Sequence, residues 1–484
     1  MNRKMVRTTI GQVMIVEAVL MVLPLIVALI YKEYSLLLPF IIPMTFLAVI
    51  GYLMSRKKIE NMTIYARESF VIVALSWIVV SMFGALPFVL SGEIPSYVDA
   101  LFEIVSGFTT TGASILTDVE AMSRSLLFWR SFSHWIGGMG VLVFLLALVP
   151  NAGNRSMNIM KAESPGPSVS KLVPKTKETA KILYTIYLGI TVIEIILLLI
   201  AGMPLFDSIL HTFGTVGTGG FGVKADSYGS YNAACQWITT IFMMLSGTNF
   251  TFFYYLIIKT YYKAFTMEEV RWYYGIFAAA TIIITINILH MYSGVFESLT
   301  HAAFTVATAM TTTGYATTNF DLWPSFSKTI VVVLMFFGAC AGSTGGGIKT
   351  SRLVIALKYC YYEVKKMLFP KTVNIVKMDG KAVEDSVIRG TNVFILLYCF
   401  IAIVSVIIIS FDGFDMTSNF TAIISALSNI GPGLSMVGPA GNFSAYSNLS
   451  KLVITLDMLL GRLEIFPILL LMAPSNWKKS KKKR

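Results

Sequence analysis

Four short segments of the chain are rich in glycine and threonine: GFTTTGAS (107–114), GTVGTGGFG (214–222), MTTTGYAT (310–317) and SNIGPGLS (428–435). Glycine adopts positive φ at no steric cost, so successive carbonyls in such a segment can be turned the same way. Threonine adds a hydroxyl that can also ligate. Four strands of carbonyls around an axis can replace the hydration shell of a monovalent cation. The segments contain no carboxylates, which argues against a divalent-cation site. Each follows about twelve moderately apolar residues, too few to cross a bilayer and suited to a re-entrant helix. Such a helix would aim its negative dipole end at the segment, again favouring a cation.

The four approaches align without gaps. Asp99, Asp207, His301 and Ser418 each lie 13 residues before a glycine, respectively Gly112, Gly220, Gly314 and Gly431. A plainer reading is that Gly and Thr only let helices pack closely. Recurrence at four matched positions, all on one side of the membrane, argues against it.

The elements that must carry these segments follow from composition. Of 484 residues, 55% are apolar and 13% charged, and the mean hydropathy is +0.72. A soluble surface cannot be built from so few charges, so the chain reads as a polytopic membrane protein. Ten apolar stretches are long enough to span: 11–31, 36–54, 70–91, 124–149, 182–202, 234–258, 272–292, 328–348, 391–411 and 450–473. With the N-terminus inside, 31 Lys and Arg residues fall in inside segments and five outside, while Arg130 and Arg462 lie within apolar stretches. That bias predicts both termini in the cytoplasm. It also explains the net charge of +12 by topology and removes nucleic acid as an expected partner. The cysteines Cys235, Cys340, Cys360 and Cys399 form no CxxC pair, so neither zinc nor a disulfide framework is indicated.

The expected fold is all-α: four parallel pseudo-repeats of helix, re-entrant pore helix with filter loop, and helix around a central ion pore, plus two extra N-terminal transmembrane helices. The expected units are 1–60 (two peripheral helices), 61–160, 161–265, 266–375 and 376–484, the last ending in a basic tail. Two spans per unit return the chain to the same side, so the repeats are parallel about an axis along the membrane normal.

The four segments, with FWRSFSHWIGGMG (128–140), MMLSGTNF (243–250), GACAGSTGGGIKT (338–350) and DMLLGRLEIFP (457–467), make the chain resemble the Trk/Ktr/HKT superfamily of potassium transporters, most closely its TrkH branch. The resemblance covers nearly the whole chain. It implies potassium uptake across the cell (inner) membrane, a homodimer, surrounding membrane lipids and a cytosolic TrkA-like nucleotide-binding regulatory subunit. Potassium is then the transported ion, and no bound organic cofactor is expected. Carried over by motif, the filter residues are Thr110, Thr111 and Gly112; Thr218, Gly219 and Gly220; Thr312, Thr313 and Gly314; and Asn429, Ile430 and Gly431. Gly217 offers the second copy an alternative register. All four first-glycine positions being glycine favours potassium over sodium within the superfamily.

Residues 338–347 place Gly338, Gly342, Gly345, Gly346 and Gly347 inside the eighth apolar stretch. Glycine costs about 1 kcal/mol in a helix relative to alanine. The helix is therefore expected to break into a loop facing a cavity, which the resemblance makes a gate. A phosphate-binding loop is excluded, because Ile348 separates the last glycine from Lys349. Arg462 lies mid-span, read either as a pore-facing charge that acts on the gate or as the partner of Asp457 or Glu464. Arg130 and His134 share a helix face and read as a structural polar cluster; Glu194 is expected to have a polar partner. The basic stretches 151–181 and 349–390 are read as a docking surface or as topology determinants. A sodium-selective or sodium-coupled transporter remains the alternative. A membrane-embedded enzyme is disfavoured, since there is no DDxxD or HExxH motif and the four histidines are scattered.

Overall fold

The computed structural model describes residues 3–56, 66–140, 176–372 and 375–473. The basic tail beyond residue 473 and most of the 151–181 stretch lie outside them. Two apolar helical stretches, Arg3–Ile30 and Tyr34–Ser55, pack on each other at the N-terminus. Four units follow, each opened by a long apolar helix: Glu68–Ser91, Glu178–Ile200, Glu268–Met291 and Asp385–Asp412. These six are long and apolar enough to cross a membrane.

Each opening helix leads to a short buried one: Tyr97–Phe108, Leu205–Gly217, Val295–Thr311 and Met416–Ser428. Their starts carry ordinary stop-and-cap chemistry. Ser96 Oγ accepts from Asp99 N, and Asp415 accepts from Ser418 N. The second begins after Pro204, whose fixed φ suits a helix start. The third is longer than expected, at 17 residues against 12 or 13 in the others.

The helix closing each unit is broken; the break in the third was expected from its glycines, and the other three depart from the continuous spans read from sequence. In the first unit, Arg124–Met139 stops at Gly140, which has φ +84°. In the second, Ala233–Ser246 and Phe250–Ile257 meet at a 93° bend. In the third, Ser325–Phe336 gives way to an extended loop before Thr350–Leu368. In the fourth, Asn448–Arg462 breaks before Phe466–Met472. Hydropathy cannot register these breaks, because small and apolar residues score as membrane-compatible whether or not they continue a helix. The loop of the third unit leaves and re-enters through a two-residue parallel ladder, Phe337 against Ile348 and Gly338 against Lys349. A small antiparallel hairpin, Lys377–Met378 with Lys381–Ala382, precedes the opening helix of the fourth unit. Neither ladder was expected in an all-α chain, and both turn on glycine or Asp-Gly geometry.

Candidate functional site

The four short helices end in one backbone motif. Thr110, Thr218, Thr312 and Asn429 have φ between 55° and 58°. The next residue in each copy donates its N–H back into the helix: Thr111 to Ser106 O, Gly219 to Gly214 O, Thr313 to Thr308 O and Ile430 to Ser425 O, at 2.7–2.9 Å. This is a Schellman ending, usually built on glycine. Threonine in the left-handed region is strained by about 1–2 kcal/mol. Three such threonines at equivalent positions mark a place where a side chain is needed as well as a turn. Two residues further on, Gly112, Gly220, Gly314 and Gly431 all have positive φ, between 80° and 103°. The backbone equivalences pair Thr218, not Gly217, with Thr110.

The copies meet in sequence order and close a ring. A β-carbon at Gly112 would fall against Gly219 O, one at Gly220 against Thr313 O, one at Gly314 against Ile430 O, and one at Gly431 against Thr111 O. Each glycine is thus required twice, by its own φ and by its neighbour's carbonyl. All four glycines line one cavity of about 110 Å³, which continues past Ser114, Lys224, Ser227 and Pro432. Eight of the twelve residues, the four glycines and the carbonyls that face them, thus meet in one ring.

The glycine loop lies against the other end of the ring. Gly346 N donates to Thr312 Oγ1 at 2.7 Å, and a β-carbon at Gly346 would press on Ser428 O and Asn429. The loop also completes the broken second-unit helix. Cys340 N donates to Gly247 O (2.9 Å), Thr344 Oγ1 to Ser246 O (3.1 Å), and Phe250 N to Gly342 O (3.1 Å). Carbonyls orphaned by one break are thereby satisfied by the other, as burial demands. Arg462 does the same for the first unit. It is buried, donating Nη1 to Thr344 O at 2.7 Å and Nη2 to Gly138 O at 2.8 Å and to Gly137 O. A cation at a helix C-terminus meets the negative dipole end there. The suggested partners are engaged elsewhere: Glu464 pairs with Arg352, and Asp457 accepts from Ser405 Oγ at 3.0 Å.

Behind the first copy, Arg130 Nε contacts Glu103 Oε1 at 2.5 Å with both side chains buried, and Arg130 Nη1 reaches Gly222 O at 3.2 Å. Glu103 also accepts from Ser114 Oγ and Ile115 N. His134 Nδ1 lies 2.8 Å from Gly107 O, and its Nε2 accepts from Phe221 N. Arg130 and His134 are both buried in polar contacts, as expected, but Glu103, the partner of Arg130, was missed. Glu194 is buried beside a polar neighbour, Thr215, as expected, although neither carboxyl oxygen meets strict hydrogen-bond geometry among the described residues. Lys349 and Arg352, counted in the sequence as inside-loop charges, are buried beside the loop, with Lys349 Nζ donating to Gly345 O. Glu269 was also missed. No spacing signal marks it, because it is placed by tertiary contact alone.

Comparisons with known proteins agree with this fold. The TrkH family model, described as a cation transport protein, matches residues 40–480. The chain is 34% identical to the Trk system potassium uptake protein TrkH of Salmonella typhimurium, over 99% of this chain and all of the relative. It is 32% identical to the Trk system potassium uptake protein TrkG of Escherichia coli, over 94% of each chain. The crystal structure of the potassium transporter TrkH from Vibrio parahaemolyticus superposes with a TM-score of 0.88 at 31% identity, covering 99% of this chain and all of that one. These relatives are transporters, and the enzyme alternative is set aside. A ring of four filter-like turns, carried by re-entrant helices in a multi-pass membrane chain of this sequence, belongs to the TrkH family of cation transport proteins.

Proposed function

We propose that this protein conducts potassium into the cell across the inner membrane, both termini lying in the cytoplasm. The ion passes through a ring formed by Thr110–Gly112, Thr218–Gly220, Thr312–Gly314 and Asn429–Gly431. One observation carries the reading: each copy's glycine is closed against the next copy's carbonyl, in sequence order, around a shared cavity. Rigid carbonyls on a narrow ring can substitute for the water around a monovalent cation. The Thr110 hydroxyl, buried and without a hydrogen-bond partner among the described residues, is suited to ligate at the inner end.

Gly338–Gly347 act as the gate and Arg462 as its tether, which the contacts with Thr312, Ser428 and Thr344 support. The units 1–60, 61–160, 161–265, 266–375 and 376–484 are the working divisions of the molecule. The relatives' names describe a Trk system, which fits a membrane subunit controlled by a cytosolic nucleotide-binding subunit. A homodimer completes the reading. The test is uptake by purified protein in liposomes under an imposed potential, with potassium or sodium as the sole cation. Faster potassium uptake that needs no sodium supports it. Uptake of sodium in preference, or potassium uptake only with sodium present, replaces it with the sodium-selective or sodium-coupled alternative.

A further inference from the structure

Glu269 lies in the first turn of the helix Glu268–Ile288 and is 5% exposed. A single oxygen of its carboxylate, Oε1, accepts from Ala341 N at 2.6 Å and from Ser351 N at 3.0 Å. Ala341 is near the start of the glycine loop and Ser351 just past its end. One charged acceptor thus bridges the two ends of the loop and fastens both to the helix of the third unit. Between these points the loop is held at Thr344 by Arg462 of the fourth unit and at Gly346 by Thr312 of its own unit. The loop's own ladder is only two residues long. Cys340 N and Gly342 O also join the start of the loop to the second unit, whereas Glu269 takes both ends onto one helix.

The neighbouring Glu268 does different work. Its carboxylate pairs with Lys358 and its N–H donates to Asp379 Oδ1 at 2.6 Å, both away from the loop. It shares the helix turn and the charge of Glu269 but touches no loop atom in the contacts above.

We propose that Glu269 is the positioning residue that holds the glycine loop in its blocking place, a role that rests on the gating reading of that loop. Hydrogen bonds to an ionised carboxylate are roughly twice as strong as neutral ones. Loss of both frees the loop ends together, and the loop moves away from the filter more often.

Cys340 is a built-in reporter. It lies within the loop and is fully buried, whereas Cys360 and Cys399 are exposed. In a background carrying Cys235→Ser, Cys360→Ser and Cys399→Ser, the rate at which a small maleimide modifies Cys340 reads loop release independently of transport. Glu269→Ala in this full-length protein should raise that rate about tenfold, with potassium uptake in liposomes rising in parallel and the potassium-to-sodium ratio unchanged. Glu269→Gln keeps an acceptor oxygen but not the charge, and should give a smaller rise of about threefold. Glu268→Gln should leave Cys340 protected. An unchanged rate at Cys340 in monodisperse Glu269→Ala or Glu269→Gln protein overturns the proposal, as does an equal rise with Glu268→Gln. Faster modification with unchanged uptake upholds Glu269 as the anchor of the loop and overturns the loop as the gate, so the two failures are distinct.

Discussion

Replacing Gly112 with serine tests the ring most directly. At φ +81° a serine is strained by about 1–2 kcal/mol. Its β-carbon would also lie well inside 3.0 Å of Gly219 O, so that neighbouring filter carbonyl must retreat by the better part of an ångström. Retreat widens the ring, and the cost falls on the ion the ring fits better. Selectivity is a difference of two free energies, and 1.4 kcal/mol changes it tenfold. If the relieved strain appears in that difference, the potassium-to-sodium ratio falls about tenfold. The structure also ranks the four glycines. Gly431→Ser would place its β-carbon 2.8 Å from Thr111 O, a milder intrusion than at Gly112, Gly220 or Gly314. It should cost markedly less discrimination. The assay is initial uptake of each cation alone by well-folded protein in liposomes. An unchanged ratio in Gly112→Ser, or a larger loss in Gly431→Ser, refutes the reasoning.

Three further outcomes are expected. Gly346→Ala forces the loop away from Ser428 O and should change the rate of potassium uptake while leaving the cation ratio intact; a changed ratio with an unchanged rate would reverse the roles of loop and ring. Arg462→Ala removes the donor to Thr344 O and a buried positive charge, and should raise flux about fivefold, equivalent to roughly 1 kcal/mol of barrier. It also uncovers the carbonyls of Gly137 and Gly138, so the melting temperature should fall; folded protein with unchanged or lower flux counts against the tether. Arg130→Ala leaves Glu103 buried without its ion pair, which costs about 3–5 kcal/mol, and thermal unfolding in detergent should show a corresponding loss of stability.

The four glycine turns were legible in the sequence because their backbone chemistry is local. A left-handed turn two residues before a positive-φ glycine leaves a mark in composition, and four marks at one offset reveal a repeat. The glycine loop was legible for the same reason, as five glycines in ten residues cannot continue a helix. The breaks in the other three closing helices were not legible. Their glycines are few, and apolar flanks disguise them. Arg462 stood out as a charge in an apolar stretch, but sequence proximity suggested Asp457 and Glu464, while its actual acceptors lie in the first and third units.

By itself the sequence determined the membrane class, the orientation bias, the four-unit plan and the positions where the backbone needs glycine. Each follows from hydropathy, charge placement or the steric limits of single residues. Only the tertiary structure decided which unit satisfies which. The loop of the third unit completes the broken helix of the second, Arg462 of the fourth covers the end of the first, and Glu269 closes the loop. At membrane depth lipid offers no partner to an orphaned carbonyl or amide, so a break buried in protein must find its partner elsewhere in the fold. That partner is set by where distant segments come to lie, which no local pattern encodes.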